Sequence, residues 1–156
     1  MARTRRDFCW TSLMTAVGIS AIAQQTSSTP ATAPAKLRTP IGSQAVRFSE
    51  LSVKTADDGR ETRACLNGRT PNVDLEMHQT KLPPGKMPHP AHRHPHDELF
   101  LVRTGTVTIT ISGKPKIVGP GGYAIITGND EHSIKNTGRV PAQYFVVALS
   151  KQDATG

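Results

Sequence analysis

From Ala45 onward the chain is built of short apolar runs separated by Gly/Pro turns. Thr106-Val107-Thr108-Ile109-Thr110-Ile111 alternates polar and branched apolar residues without a break. A period of two predicts a strand with one buried face. Leu99–Arg103, Lys116–Val118, Tyr123–Ile126, His132–Asn136, Gln143–Leu149 and the earlier Val73–Leu82 read as further strands. Ser112-Gly113-Lys114 marks a hairpin, and Gly119–Gly122, Gly128–Asp130 and Thr137-Gly138 mark turns. No helical periodicity of useful length follows residue 45. Many short strands at this spacing predict an all-β sandwich or barrel over residues 46–150, with a tail at 151–156.

The first 45 residues have a different texture. Arg5-Arg6 is followed by Phe8, then by an uncharged run from Cys9 to Ala23 rich in Ala, Thr, Ser and Gly. Ala21-Ile22-Ala23 is a small-x-small site. This predicts a cleaved twin-arginine export signal over residues 1–23, and a periplasmic or secreted mature protein. The run falls short of the roughly 20 residues that span a bilayer, so no stable membrane span is expected after processing. Residues 24–45 are Pro, Thr and Ala with few bulky apolar side chains. They predict a disordered linker.

Processing changes the charge picture. The net charge is +7, and loss of Arg3, Arg5, Arg6 and Asp7 leaves 16 basic and 11 acidic residues, a net of +5. The basic residues are scattered singly and no aromatics interleave with them, so nucleic-acid binding is excluded as a function class. Cys65 would be the only cysteine of the mature chain. It forms no internal disulfide and reads as a small buried hydrophobe.

The candidate chemistry lies in His92-Arg93-His94-Pro95-His96-Asp97-Glu98. Two imidazoles and a carboxylate stand close enough in sequence to share one metal ion. His132 is a fourth candidate ligand, and five of the six histidines fall between His89 and His132. His89 and His96 flank the motif and read as rim groups or as supports for the ligands. His78, within a strand, reads as structural.

The spacing resembles the two motifs of the cupin superfamily, in its small single-domain exported form. Gly85, His92, His94, Glu98 and Gly105 match the first motif, with one extra residue between Gly85 and His92. Gly121, His132 and Asn136 match the second, where Thr127 and Asn129 replace the usual Pro and Gly of a turn. Asn tolerates the left-handed backbone such a turn requires. The resemblance implies a double-stranded β-helix, or jelly-roll barrel, with His92, His94, Glu98 and His132 as metal ligands. His92 and His94, two apart on a strand, would share a face directed into the barrel.

Three imidazoles and one carboxylate leave two positions open on a six-coordinate Fe, Mn, Ni, Cu or Co ion, and Zn is also compatible. The resemblance implies a dioxygenase-type oxidoreductase with Glu98 as a catalytic group. A cupin isomerase or decarboxylase, and a non-catalytic small-molecule or metal-binding module, are the alternatives. Phe100 and Ile134 are expected on the pocket wall, with either Tyr144 and Val146 or Gln143 and Phe145. The visible wall is largely apolar and shows no Arg/Lys clamp, which favours a neutral or aromatic ligand. Arg103 and Lys135 are expected in solvent. Edge strands of such a barrel favour a homodimer.

Overall fold

The computed structural model describes residues 38–152. The expected export signal and most of the expected linker lie outside them, as do the last four residues. Nine strands follow a single 3-10 turn at Phe48–Glu50: β1 (Val53–Thr55), β2 (Glu61–Arg69), β3 (Asp74–Leu82), β4 (Asp97–Thr104), β5 (Val107–Ile111), β6 (Lys114–Val118), β7 (Tyr123–Ile126), β8 (His132–Asn136) and β9 (Ala142–Ser150). They form a six-stranded sheet in the order β1-β2-β3-β9-β4-β7 and a three-stranded sheet in the order β6-β5-β8. All neighbouring strands run antiparallel. Among the described residues no helix is long and apolar enough to cross a membrane.

Alternation decides which face each strand buries. In β9, Ala142, Tyr144 and Val146 are buried, while Phe145 between them lies on the opposite face. In β8, His132, Ile134 and Asn136 point inward. Phe100 and Val102 of β4 and Val107 and Ile109 of β5 complete the core between the sheets, with Leu82, Val118 and Ile126. These side chains fill the gap between two packed sheets, the largest favourable contribution to such a fold.

Two strands, β1 and β2, escaped the hydrophobic pattern. The β2 sequence Glu-Thr-Arg-Ala-Cys-Leu-Asn-Gly-Arg is mostly polar, and a register shift between Ala64 and Leu66 breaks its alternation. A bulge of this kind re-aims one side chain and hides the period of two. Thr39 and Ile41, within the stretch that reads as linker, hydrogen-bond to Arg69 on β2 at 2.9 and 2.8 Å.

One glycine is required by the packing. Gly105 links β4 to β5 at φ 74°, and a Cβ there would lie 2.6 Å from Ala142 Cα. Both the left-handed backbone and the close approach exclude a side chain.

Candidate metal centre

His92 and His94 do not lie in a regular strand. They occupy the extended segment before β4, and His92 is held by a single antiparallel bridge to His132 on β8. The mutual backbone bonds measure 3.1 Å and 3.0 Å. Pro88, Pro90 and Pro95 punctuate the segment. Prolines supply no N–H, so a continuous ladder cannot form there. The two imidazoles nevertheless converge with that of His132. One ring nitrogen from each lies within 4.8 Å of the others.

The turn before β8 fixes the geometry from the other side. Asn129 adopts φ 69°, the left-handed conformation expected where Asn replaces Gly. Its N–H donates to His94 O at 2.7 Å, and its carbonyl accepts from Arg93 Nη1 at 3.0 Å. The β7–β8 turn is thereby fastened to the segment that carries His92 and His94.

Hydrogen bonds set the tautomers. His94 Nδ1 donates to His96 O at 2.9 Å, and His132 Nδ1 donates to Asp130 O at 3.0 Å. A carbonyl can only accept, so in both rings Nδ1 carries a proton and Nε2 is the nitrogen turned toward the site. Both Nε2 atoms are buried and lack a partner, as does His92 Nδ1. Glu98 Oε2 stands 3.4 Å from His94 Nε2 and 3.3 Å from His132 Nε2. In the neutral, ligating form of the rings these nitrogens present lone pairs toward the carboxylate oxygen, an arrangement that a cation among them would satisfy.

A divalent metal ion fits this donor set. Donors held at ordinary metal–ligand lengths of about 2.1 Å around one ion stand roughly 3–4 Å apart. Burial pushes the His92 pKa down, reinforced by the neighbouring His89, His132 and His94 rings and opposed by Glu98. The neutral form favoured there is the one that can ligate.

Comparison with known proteins agrees with this architecture. Residues 78–148 match the family profile described as the cupin domain. No curated protein matches the chain in sequence. Solved structures that it resembles include KdgF from Halomonas sp., at TM-score 0.60 and 18% identity over 72% of this chain and 97% of that one. A predicted oxalate decarboxylase from Thermotoga maritima aligns at TM-score 0.57 and 22% identity, over 68% and 98% of the two chains. The polyketide cyclase RemF from Streptomyces resistomycificus aligns at 0.58 and 16%, over 72% and 83%. At these identities the likeness establishes the fold.

Other groups surround the site as supports. The His96 ring stacks on His94 with centroids 3.7 Å apart and planes 3° from parallel, and its Nε2 lies 3.6 Å from Glu98 Oε1. His96 and Glu98 also form a triad with His94 that has metal-ligand spacing. The exposed His89 ring packs edge-on against His92 at 4.2 Å. Phe100 and Ile134 are buried and line the cavity beside the site, Phe100 with its ring 6.2 Å from His132.

The cavity has a volume of about 390 Å³. Register places Tyr144 and Val146 on its wall, and turns Phe145 to the outer face. Burial pushes the Tyr144 hydroxyl pKa well up, so it stays protonated. Two expectations are corrected here. His78 lines the cavity, because it shares the inward parity of Glu76 and Thr80 on β3. The wall also carries Arg60 and Lys54. Both come from the β1–β2 hairpin, which the hydrophobic pattern does not reveal. Arg103 is exposed but not free of contacts, since its guanidinium packs over the Phe48 ring at 4.8 Å.

Proposed function

We propose that the chain is an exported, metal-binding cupin that takes a small molecule at one divalent transition metal held by His92, His94, Glu98 and His132. The observation that carries this reading is the set of buried, unpartnered imidazole nitrogens facing Glu98 Oε2. When bound, such an ion supplies Lewis acidity and open coordination positions beside the cavity. The chain's own residues do the rest. The backbone carbonyls of His96 and Asp130 orient two of the imidazoles. The apolar side chains of Phe100, Ile134 and Val146 keep one side of the cavity dry. Glu98 lines the cavity as well as the ligand cluster, and there its carboxylate is placed to hold or release a proton.

A dioxygenase-type oxidoreductase is the leading reaction within this proposal. A redox-neutral decarboxylase or isomerase is the second reading, favoured by the position of Glu98 at the cavity wall. A binding module without turnover is the third. The expectation of a neutral or aromatic ligand rested on a wall free of Arg and Lys, and Arg60 and Lys54 remove that basis. Export through the Arg5-Arg6 signal, loading of the metal before export, and pairing of two copies complete the proposal.

Oxygen uptake decides between the reactions. Iron-reconstituted protein is incubated with a panel of small hydroxy, oxo and thiol acids in an oxygen electrode. Stoichiometric oxygen consumption that disappears in Glu98→Gln supports the oxygenase. Product formed without oxygen uptake supports the redox-neutral reading. Saturable binding without product supports the module.

A further inference from the structure

His96 is the last residue before β4, and its ring lies against the metal centre without joining the cluster of His92, His94 and His132. The two oxygens of Glu98 face different neighbours. Oε2 lies 3.4 Å from His94 Nε2 and 3.3 Å from His132 Nε2, whereas Oε1 lies 3.6 Å from His96 Nε2. That last separation is too long for a hydrogen bond. It falls within the roughly 3–4 Å that separates two donors sharing one ion at about 2.1 Å from each. The His96 ring is held in place by its parallel stack on His94, at 3.7 Å between centroids.

Exposure falls steadily along this line of donors. The side chains are 29% exposed at His96, 14% at Glu98, 12% at His94 and 1% at His132. Stripping a hydrated divalent ion of all its water at once is prohibitive in a low-dielectric interior. A path inward therefore needs donors that replace water one at a time. The cavity offers few of them. Among the described residues its wall includes Glu98 but none of His92, His94 and His132. Its imidazoles are those of His78 and His89, and neither shares a close donor group with Glu98. His94, His96 and Glu98 do form such a group, with donor atoms within 4.8 Å of one another. His94 also belongs to the inner group, yet it has one nitrogen to give, because its Nδ1 is engaged with His96 O at 2.9 Å. The two groups cannot both use that nitrogen, which favours one ion held in succession over two held together.

We propose that His96 and Glu98 Oε1 form an outer metal position, which captures a divalent ion near the surface and passes it to the inner donors. This rests on the reading of the site given under Proposed function. Glu98 serves both positions, through Oε1 outside and Oε2 inside, so one carboxylate keeps hold of the ion during the transfer. The transfer is an exchange of donors, with no covalent or redox change in the protein. A residue used only in passage lowers the barrier equally in both directions. It speeds arrival and departure alike and leaves the equilibrium where it was.

The test is zinc exchange. Chelator-stripped mature protein is mixed with zinc in a stopped-flow instrument, and free zinc is followed with a fluorescent indicator. Release is followed by mixing zinc-loaded protein with excess chelator. His96→Phe keeps a ring to stack on His94 and removes the nitrogen. The expected result is that uptake and release both slow by the same factor, on the order of tenfold. Zinc stoichiometry and the dissociation constant stay as in wild type. His96→Gln should show the same loss, and it decides the matter should His96→Phe not fold. Unchanged rates in the variants overturn the proposal. So does a weaker dissociation constant carried wholly by faster release, which would make His96 part of the resting site. Two zinc ions per wild-type chain at saturation overturn the handover as well. Slowing in His89→Gln rather than in His96→Phe overturns it too, and places entry on the cavity side. Wild-type protein that takes up no zinc refutes the metal reading itself. A wild type that holds zinc with rates independent of His96 refutes the outer position alone.

Discussion

His132 and Asn136 lie four residues apart on β8, both buried and both pointing inward. Every polar atom of the Asn136 side chain is used. Its Nδ2 donates to Leu82 O at 2.7 Å and Val140 O at 2.9 Å, and its Oδ1 accepts from Gly138 N at 2.9 Å. His132 uses only Nδ1, and its Nε2 faces Glu98 without a partner. One end of the strand thus ties loops to the barrel, and the other keeps a polar atom in reserve. Buried polar groups left unpaired are rare and costly, so their concentration at one end marks that end as the functional one.

The largest effect that breaks this comparison is expected at the satisfied end. Asn136→Ala strands two carbonyls and one N–H, each costing about 1–3 kcal/mol when buried. We expect a loss of about 3 kcal/mol or more in urea unfolding, with the metal stoichiometry of the remaining folded protein unchanged. A loss below about 1 kcal/mol would show that water replaces the side chain.

At the functional end the loss is expected only when metal is present. Metal at 100 times its dissociation constant raises stability by about 2.7 kcal/mol. His132→Ala should lose that increment while the metal-free variant stays folded. An unchanged metal-induced shift in melting temperature would remove His132 from the site.

Gly105→Ala tests the β4–β5 connection. A left-handed backbone costs an L-residue about 1–2 kcal/mol, and the new Cβ meets Ala142 Cα. We expect about 2 kcal/mol of destabilisation by thermal unfolding. A neutral substitution would mean that the β4–β5 connection yields without cost.

The smallest effect is one of pH. Burial lowers the His78 pKa below its ordinary 6.5, with Glu76 opposing. The unfolded chain therefore binds the proton more readily than the folded one. Stability from this group is full above about pH 6.5 and declines as pH falls from there toward the lowered value. In chelator-treated protein, the drop in urea midpoint between pH 7 and pH 5 should be shallower for His78→Gln than for wild type. Equal slopes would show that other groups carry the acid sensitivity.

Much of this contrast was legible before any coordinates. The strands from β3 to β9 were visible, because each has one apolar face against one solvated or polar face, as Thr106–Ile111 shows. The Gly105 and Asn129 turns were visible because few residues adopt a positive φ. The polar half of the cavity was not. Arg60 and His78 reach the site through the pairing of β1, β2 and β3, and pairing across a sheet leaves no mark in local periodicity. The polar, bulged β2 concealed itself for the same reason that it can line a polar cavity. His92 and His94 were expected on a strand and lie instead in a proline-punctuated segment. Their convergence depends on the His92–His132 bridge rather than on strand parity.

The central claim is that the unpaired nitrogens of His92, His94 and His132 await one metal ion. Its most direct test is the metal content of the mature protein, purified without a histidine tag from an exporting host, beside His94→Ala. The account predicts close to one divalent transition-metal ion per chain in the wild type and loss of that ion in the variant. Mixed metals well below one per chain, equal in both proteins, would contradict it.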